Sequence, residues 1–333
     1  MIPRPVSVYA WRRYSRGLYT SLEEKQMKRL VCLGALALVG VVSMVTTQQA
    51  WQERSTLVVT EVAENLYMLG NEPGGQGMRG GGNTGIFVGS TGVTLVDTKI
   101  FGYGQDIIRH VREITDKPIT TVINTHTHYD HSGGNTELPD AVNFIVHENT
   151  LAQMSRDSCE RVTNCEAFHG GNAKYLPETT FTDRTTIGSG SDQIDLYYFG
   201  RGHTDGDTWI VYRNARTVQT GDMFARKGLP FLDVANGNGS ALEFGETLQK
   251  AVAGISGVDT VIPGHNDVPL VWQDVVNYSG FYNDIVDRAK SAQANGQSAE
   301  QFVESYSVPS QYSDFAAEPD RLATTVGYIY EGQ

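Results

Sequence analysis

Four side chains that can bind a metal ion lie within six consecutive residues of this chain. They are His126, His128, Asp130 and His131, and they directly follow a β-rich run at Ile119–Asn124. Such proximity of imidazole and carboxylate groups is costly unless a cation lies among them. A solvated polar turn is the alternative interpretation. The density of ligands favours a metal-binding loop at the end of a strand.

The spacing within this loop indicates two metal positions. His126 and His128 are two residues apart in an extended segment, so their side chains point to the same side. Asp130 and His131 lie beyond the bend and face a second position a few ångströms away. Imidazole and carboxylate ligands without a thiolate suit Zn²⁺, with Fe or Mn as lesser alternatives. We therefore expect two Zn²⁺ ions as cofactors.

The composition is that of a globular domain with an acidic surface. Hydrophobic residues make up 40% of the 333 residues and charged residues only 19%, which argues against a disordered or coiled-coil chain. Lys and Arg number 26 against 38 Asp and Glu, which gives a formal net charge of −12. Because such a surface repels phosphate backbones, we expect no nucleic-acid partner.

The N-terminal residues 1–50 have the pattern of an export signal or of an N-terminal anchor. Lys28 and Arg29 precede an uncharged apolar run at residues 30–45, and a polar segment follows that run. Met27 is an alternative start. The run is slightly long for a signal and short for a membrane-spanning helix, so cleavage and retention as an anchor both stay open. We expect an exported protein, periplasmic or secreted, with no other membrane partner.

Residues 51–333 are expected to form one domain, in which strand-like and helix-like runs alternate without a low-complexity linker. This alternation is typical of α/β layering. Helical patterns lie at Gln105–Thr115, Ala241–Ile255 and Val271–Ala289, and a last helix begins near Ser298, where Gln301 completes a capping box. The β-rich runs are Thr56–Val62, Leu66–Leu69, Thr84–Val88, Val93–Val96, Ile119–Asn124, Asn143–Val146, Ile194–Phe199, Trp209–Tyr212 and Thr217–Gln219.

Two segments without a clear period are expected beside the metal-binding loop. Leu151–Phe181 is predicted to be an irregular insertion over the site, and it contains Cys159 and Cys165. These two residues either form a disulfide or remain unpaired. The glycine-rich loop Gly74–Gly82 leads into a strand and not into a helix, so we interpret it as a mobile flap and not as a phosphate-binding loop.

The metal-binding loop resembles the His-x-His-x-Asp-His signature of the metallo-β-lactamase superfamily. That superfamily also has an aspartate at a strand end before the signature and, after it, a histidine, a metal-bridging acidic residue and a final histidine. The matching residues, in chain order, are Asp97, His203, Asp222 and His265. The resemblance covers essentially residues 51–333. It implies an α/β (α+β) fold: a four-layer αβ/βα sandwich with two packed β-sheets and the site along one edge.

The resemblance also assigns a role to each of these residues. It implies that one zinc ion binds to His126, His128 and His203, that the other binds to Asp130, His131 and His265, and that Asp222 bridges the pair. Asp97 is expected to accept a ring N–H or to steady the signature loop, although capping of the next turn is an alternative. Asp130 is the expected catalytic residue, which orients the nucleophile or shuttles its proton.

This set of residues predicts a hydrolase that acts on a small-molecule substrate. Two zinc ions would share a bridging hydroxide that attacks an ester, thioester, lactone or β-lactam carbonyl. True β-lactamases of the superfamily usually carry cysteine or serine at the position of Asp222, whereas aspartate resembles the glyoxalase-type branch. Arg226 and Lys227 either receive a substrate carboxylate or form a solvated pair in a loop.

Two alternatives accompany this reading. One is a β-lactamase proper, which hydrolyses antibiotics. The other is a mononuclear-iron sulfur dioxygenase, an oxidoreductase on the same scaffold, which metal analysis would distinguish. His110 and His147 are expected to be structural, and His169 is a weaker candidate for contact with substrate. The oligomeric state and the natural substrate stay open.

Overall fold

A computed structural model of the protein describes residues 56–73, 80–140 and 142–333. The predicted export segment, residues 1–50, lies outside the described residues, and so do residues 74–79 of the glycine-rich loop. The export and flap predictions therefore stay predictions. None of the helices in the described ranges combines the length and the apolar character that crossing a bilayer requires.

Within the described ranges the chain forms two β-sheets, and the first has seven strands that lie side by side in chain order. The pairs from β1 to β4 are antiparallel, and the pairs from β4 to β7 are parallel. Because β4 and β5 are parallel neighbours, the loops after them leave the sheet at the same edge. The strands are β1 Leu57–Ala63, β2 Leu66–Asn71, β3 Thr84–Val88, β4 Val93–Val96, β5 Ile119–Ile123, β6 Asn143–His147 and β7 Thr179–Phe181.

The second sheet has six strands in the order β13-β12-β11-β10-β9-β8. Among the described strands of this sheet only β11 and β12 are parallel, so the loops after these two strands also leave the sheet at the same edge. The strands are β8 Arg184–Ile187, β9 Ile194–Tyr197, β10 Trp209–Tyr212, β11 Thr217–Gln219, β12 Thr260–Ile262 and β13 Leu270–Val271.

Helices cover the outer face of each sheet. The helices are α1 Gly104–Ile114, α2 Tyr129–Ser132, α3 Glu148–Met154, α4 Ala241–Gly254, α5 Trp272–Ala294, α6 Ala299–Ser305 and α7 Pro319–Glu331. Ile107 and Val111 of α1 pack in an apolar cluster with strands of the first sheet. Phe244 and Leu248 of α4 pack in another cluster with strands of the second sheet and with residues of α5, α6 and α7.

A third apolar cluster lies between the two sheets. It contains residues of both sheets, such as Met68 and Ile123 from the first and Ile210 and Ile262 from the second. The three clusters separate four layers, in the order helices, sheet, sheet, helices. The predicted αβ/βα sandwich is therefore confirmed.

All nine predicted strands are present, with ends that differ from the prediction by at most two residues. The capping box of α6 is confirmed, since Gln301 N donates to Ser298 Oγ at 3.3 Å and Ser298 N donates to Gln301 Oε1 at 2.9 Å. The prediction that α6 is the last helix is wrong, because α7 follows it. The insertion Leu151–Phe181 is less irregular than predicted, since it begins inside α3 and ends with the three-residue strand β7, which is too short to show a period.

Candidate metal centre

Hydrogen bonds within the signature loop hold its backbone in one conformation. Ser132 Oγ lies 3.0 Å from the carbonyl oxygens of Thr127 and His128, to which it donates. The side-chain amide of Asn124 donates to the carbonyl oxygen of His131 at 3.0 Å. The direction in which each ligating side chain leaves the loop is therefore set before the loop contacts the rest of the site.

Three imidazole rings from two loops form the first ligand group. His126 and His128 come from the loop after β5, and His203 comes from the connection between β9 and β10. Nε2 of His203 lies 3.2 Å from Nε2 of His126 and 3.0 Å from Nδ1 of His128. All three rings are buried. The structure thus brings together the three histidines that the resemblance grouped.

In two of these rings, the nitrogen that points away from the other rings (the outer nitrogen) faces an acceptor, which fixes the position of the ring proton. His203 Nδ1 lies 2.5 Å from the carbonyl oxygen of Phe231, and His128 Nε2 lies 2.9 Å from Oδ2 of Asp233. Because a carbonyl or carboxylate oxygen only accepts, these outer nitrogens carry the protons. The inner nitrogens of both rings then present lone pairs 3.0 Å apart, which repel each other unless a cation lies between them.

Asp130, His131 and His265 form a second ligand group. Nε2 of His131 lies 3.2 Å from Nε2 of His265. Asp130 Oδ2 lies 3.4 Å from the His265 nitrogen and 3.9 Å from the His131 nitrogen. Since His265 follows β12 and the other two residues follow β5, this group joins the edges of the two sheets.

Asp222, directly after β11, faces both ligand groups at once. Its Oδ1 lies 3.3 Å from Nε2 of His131 and 3.2 Å from Nε2 of His265. Its Oδ2 lies 3.6 Å from Nε2 of His203. One carboxylate oxygen thus points to each group, which is the arrangement that a bridging ligand needs.

Asp97, at the end of β4, connects the signature loop to the neighbouring strand. Its Oδ1 accepts from Thr125 N at 2.8 Å, and its Oδ2 accepts from Thr125 Oγ1 at 2.8 Å and from Nδ1 of His131 at 2.7 Å. Because the Thr125 hydroxyl proton is committed to Asp97, the hydroxyl oxygen accepts from Nδ1 of His126 at 2.9 Å. Asp97 therefore leaves Nε2 of both histidines without a proton in their neutral forms.

Burial and neighbouring charges shift the pKa values of the site residues in different directions. Burial lowers the pKa of His126 well below its usual value and lowers the pKa of His203 to about 4, so both rings are neutral near pH 7. Burial also acts to lower the pKa of His131, but Asp222 and the neighbouring carboxylates outweigh it and raise the pKa well above its usual value. Burial acts to raise the pKa of Asp222, but its electrostatic interactions with His265 and His131 outweigh burial and hold the pKa well below its usual value.

The donors fit divalent cations. Oδ1 of Asp222 is buried and accepts no hydrogen bond from the residues that the structure describes, and such an oxygen is costly without a compensating charge. Neutral imidazoles and carboxylates are ligands that Zn²⁺ accepts. The ligand atoms of each cluster lie within 4.8 Å of one another, and the clusters are His126, His128 and His203; His126, His131 and Asp222; and Asp130, His131 and His265.

Two glycines allow the surrounding loops to approach these ligands. A Cβ atom on Gly82 would lie 2.3 Å from Cε1 of His131, and a Cβ atom on Gly264 would lie 2.1 Å from Oδ1 of Asp222. Real side chains do not reach such distances, so any larger residue would displace a ligand. The described end of the glycine-rich loop therefore packs directly on the candidate ligand His131.

The family model described as the metallo-beta-lactamase superfamily matches residues 77–265, a range that includes all seven candidate ligands and Asp97. The chain belongs to the metallo-beta-lactamase superfamily. Proteins of this superfamily use divalent metals and are generally hydrolases. The resemblance predicted from the signature is therefore confirmed.

The curated relatives of this superfamily member are distant. The alpha subunit of a 2,4-dinitroanisole O-demethylase from Nocardioides is 29% identical over 40% of this chain, and the match spans only 38% of that subunit. A probable metallo-hydrolase of Methanocaldococcus jannaschii is 23% identical over 56% of this chain and 88% of its own length. A metallo-beta-lactamase type 2 of Bacillus cereus is 22% identical over 73% of this chain and 93% of its own length.

Solved structures of the superfamily share the fold. A metallo-beta-lactamase from Pontibacter korlensis superposes with a TM-score of 0.56 at 17% identity and covers 68% of this chain and 99% of its own. The DIM-1 metallo-beta-lactamase gives a TM-score of 0.53 at 17% identity over 68% of this chain and 97% of its own. At this identity, the likeness establishes the fold and not the substrate.

A cavity of about 260 Å³ opens beside the ligands of this superfamily member. Four of the candidate ligands line it, together with several apolar side chains. The lining residues are His128, Tyr129, Asp130, Val162, Asp222, Ala225, Arg226, Leu229, Phe231, His265 and Arg321. The combination of apolar side chains with a few convergent polar groups is typical of a small-molecule site.

The two basic residues that the sequence analysis named after Asp222 differ in their positions. Arg226 lines the cavity, but its guanidinium pairs with Glu318 at 3.2 Å. Lys227 is not among the lining residues, and its Nζ pairs with Oδ1 of Asp274 at 2.8 Å. Only Arg226 is placed where it can meet a substrate.

The insertion contributes one wall of the cavity. Cys159 and Cys165 form a disulfide, and Val162 within that short loop lines the cavity. The carbonyl oxygen of Thr163 accepts from Thr127 Oγ1 of the signature loop at 2.7 Å. The disulfide, which the sequence left open, thus closes a loop that packs on the metal-binding segment.

The remaining histidines lie outside the cavity lining. His110 pairs with Glu113 at 2.9 Å on α1. Nδ1 of His147 accepts from Asn149 N at 3.2 Å at the start of α3, as expected for a structural histidine. His169 is exposed, so the weaker suggestion of contact with substrate finds no support in the geometry.

Three residues that the structure places at the site are not predicted from the sequence. Asp233 is buried and accepts the outer ring proton of His128, while Phe231 and Arg321 line the cavity. Asp233 and Phe231 lie in a loop without a motif, and Arg321 belongs to α7, which was not predicted. No local pattern in the sequence marks any of the three.

Proposed function

We propose that this protein is a zinc-dependent hydrolase that holds two ions and acts on the carbonyl group of an ester, thioester, lactone or β-lactam. The observation that carries the proposal is the position of Asp222, whose two oxygens face two separate ligand groups. His126, His128 and His203 would hold one ion, and Asp130, His131 and His265 the other. Divalent ions bound there would lower the pKa of a water molecule towards neutrality and polarise a carbonyl oxygen.

Asp130 is the protein's own proton-handling group in this proposal. Its carboxylate lines the cavity and lies 3.4 Å from Nε2 of His265, at the boundary between the ligands and the substrate space. From this position it would orient the attacking water and accept its proton. The buried aspartates Asp97 and Asp233 would keep the ligand rings in one orientation during turnover.

The apolar side chains of the cavity would position the substrate. Val162, Leu229 and Phe231 present hydrocarbon surface to the cavity that the candidate ligands also line. A substrate that covers this surface would exclude water from the reacting carbonyl and hold it against the ligand groups. This arrangement supports a small-molecule substrate and requires no serine or cysteine nucleophile.

The mononuclear-iron dioxygenase is the alternative that this geometry favours less, because one ion would leave the second ligand group without a partner. The β-lactamase alternative rests on the distant relatives, and the aspartate at position 222 speaks against it. Metal analysis of the purified protein distinguishes the proposed hydrolase from the iron dioxygenase, since we expect about two zinc ions per chain. A panel of substrates distinguishes it from a β-lactamase.

The central experiment assays the purified protein on nitrocefin, a lactone, a thioester and a phosphodiester, with and without added zinc. We expect zinc-dependent turnover of one carbonyl class and none by metal-stripped protein. His128→Ala should abolish turnover with the fold intact, whereas the matched variant His110→Ala should keep it, because His110 is on α1, pairs with Glu113 and does not line the cavity. Unchanged turnover by metal-stripped protein or by His128→Ala would show that the proposal is wrong.

A further inference from the structure

The C-terminal helix α7 brings an arginine to the substrate cavity. Residues 319–331 lie outside the range 77–265 that the family model matches, yet Arg321 lines the cavity together with Asp130 and Asp222. The cavity is therefore completed by a part of the chain that the shared family core does not include.

Arg321 differs from the other basic residues near the cavity in its partners. The guanidinium of Arg226 is neutralised by Glu318 at 3.2 Å, and the Lys227 ammonium is neutralised by Asp274 at 2.8 Å. Arg321 makes no ion pair with any residue of the described ranges. Its charge is therefore available to a ligand in the cavity.

The ring of Phe231 lies near both the Arg321 guanidinium and two of the candidate metal ligands. The Arg321 guanidinium carbon lies 5.2 Å from the centre of the Phe231 ring. The centre of the same ring lies 6.0 Å from the ring centre of His128 and 5.9 Å from the ring centre of His203. Phe231 is 43% exposed, so its ring is accessible to a ligand in the cavity that it lines. One aromatic ring thus neighbours both the cation and two of the candidate ligands.

We propose that Arg321 and Phe231 form a subsite that selects substrates with an anionic group separated from the reacting carbonyl by an apolar spacer. The spacer lies on Phe231, and the carboxylate or phosphate group pairs with Arg321. This inference rests on the proposed hydrolase function, because it describes how that site chooses its substrate.

The positive charge of Arg321 matters because the rest of the chain is acidic. The chain carries a formal net charge of −12, so the field around it opposes the entry of anions. A guanidinium that has no carboxylate partner offsets this field locally and binds carboxylate or phosphate oxygens in a bidentate fork. A neutral substrate of the same shape gains nothing from Arg321.

The test compares three 4-nitrophenyl esters of equal spacer length on the zinc-loaded protein. One ends in a carboxylate (the monoester of glutaric acid), one in a phosphonate, and one in a neutral methyl ester. We expect kcat/KM to be about tenfold to a hundredfold higher for an anionic ester than for the neutral one, the range expected for one hydrogen-bonded charge pair. The better of the two anionic esters identifies the acidic group.

Variants separate the role of Arg321 from general effects of charge. Arg321→Gln should remove the preference for the anion, and Arg321→Lys should restore part of it, because the charge is kept and the fork is lost. Arg226→Gln should change the preference less, since Glu318 already neutralises that side chain. Arg288→Gln, on α5 and paired with Asp284, is the matched control and should change nothing.

A binding measurement keeps this inference separate from the proposed function. Titration calorimetry with N-methylglutaramate and with its neutral diamide measures selection of the anion without turnover. A preference that Arg321→Gln removes supports the subsite even where no ester is hydrolysed, in which case only the hydrolase proposal fails. Equal binding and turnover of the charged and neutral compounds, or a preference that survives Arg321→Gln, would overturn the subsite.

Discussion

Substitution of Asp233 by Asn tests whether a buried carboxylate sets the protonation of a metal ligand. Asp233 Oδ2 and His128 Nε2 lie 2.9 Å apart, with side-chain exposures of 2% and 3%. The carboxylate only accepts, so it holds the ring proton on Nε2 and leaves Nδ1 free for a metal. An asparagine of the same shape presents either an acceptor or a donor to the ring, and its donor would stabilise the wrong tautomer.

The expected magnitude follows from the loss of one charged acceptor behind a ligand. Replacement of such a partner typically weakens metal binding about 10- to 100-fold, or about 1.4–2.7 kcal/mol. The backbone of this loop should change little, since Asn236 N donates to Oδ1 of Asp233 at 3.0 Å and an asparagine oxygen still accepts that bond. The effect should therefore appear in metal affinity and not in the fold of the metal-free protein.

The assay is a competition for zinc between the protein and a chromophoric chelator, performed with wild type, Asp233→Asn and a control. Asp205→Asn is the matched control, because Asp205 is in the same region and accepts from Tyr198 Oη at 3.0 Å and not from a ligand. Circular dichroism of the metal-free proteins shows whether each variant is folded. If Asp233→Asn binds both zinc ions as tightly as wild type, the argument that this carboxylate sets the tautomer of His128 is wrong.

Three further predictions concern stability and the packing of the centre. Burial lowers the pKa of Lys99 to about 7 from its ordinary 10.5, so the unfolded chain binds more protons than the folded chain between these pH values. The free energy of unfolding of the wild type should therefore rise by about 2 kcal/mol from pH 7 to pH 9. Urea unfolding of Lys99→Met should lack this rise, and an identical dependence of stability on pH in the two proteins would contradict the prediction. Replacement of both Cys159 and Cys165 by Ser should cost about 2 kcal/mol of unfolding free energy, because the unfolded chain regains the entropy of a short loop, and a reduced wild type should behave the same. Gly82→Ala places a Cβ 2.3 Å from the His131 ring and should weaken zinc binding in the chelator assay, whereas unchanged affinity would show that the loop relaxes freely.

Short-range patterns in the sequence predicted much of the scaffold. The alternation of apolar residues marked nine strands and the helices α1, α4 and α5, because period and burial are coupled within a single element. The pair Ser298 and Gln301 predicted the start of α6, because both capping bonds join residues only three positions apart. The strands that went unmarked are two to four residues long, too short to show a period.

The candidate ligands differ in how readily the sequence reveals them. His126, His128, Asp130 and His131 reveal themselves by their density. His203, His265 and Asp222 have ordinary surroundings in the sequence, and only the resemblance to a family singled them out. Neither Asp233 nor Arg321 belongs to any motif, so each became visible only when the fold placed it against His128 or in the cavity.

The sequence by itself determined which side chains are chemically able to hold a cation and which segments form nine of the described strands and the helices α1, α4 and α5, because both depend on residue identity and on spacing over a few positions. Tertiary structure decided which ligands share a centre, since His131 and His265 are 134 positions apart and meet only because β5 and β12 end at the same edge of the two sheets. The same holds for the cavity. Its free arginine arrives on a helix more than fifty residues beyond the last ligand, and no periodicity of the backbone links such distant positions.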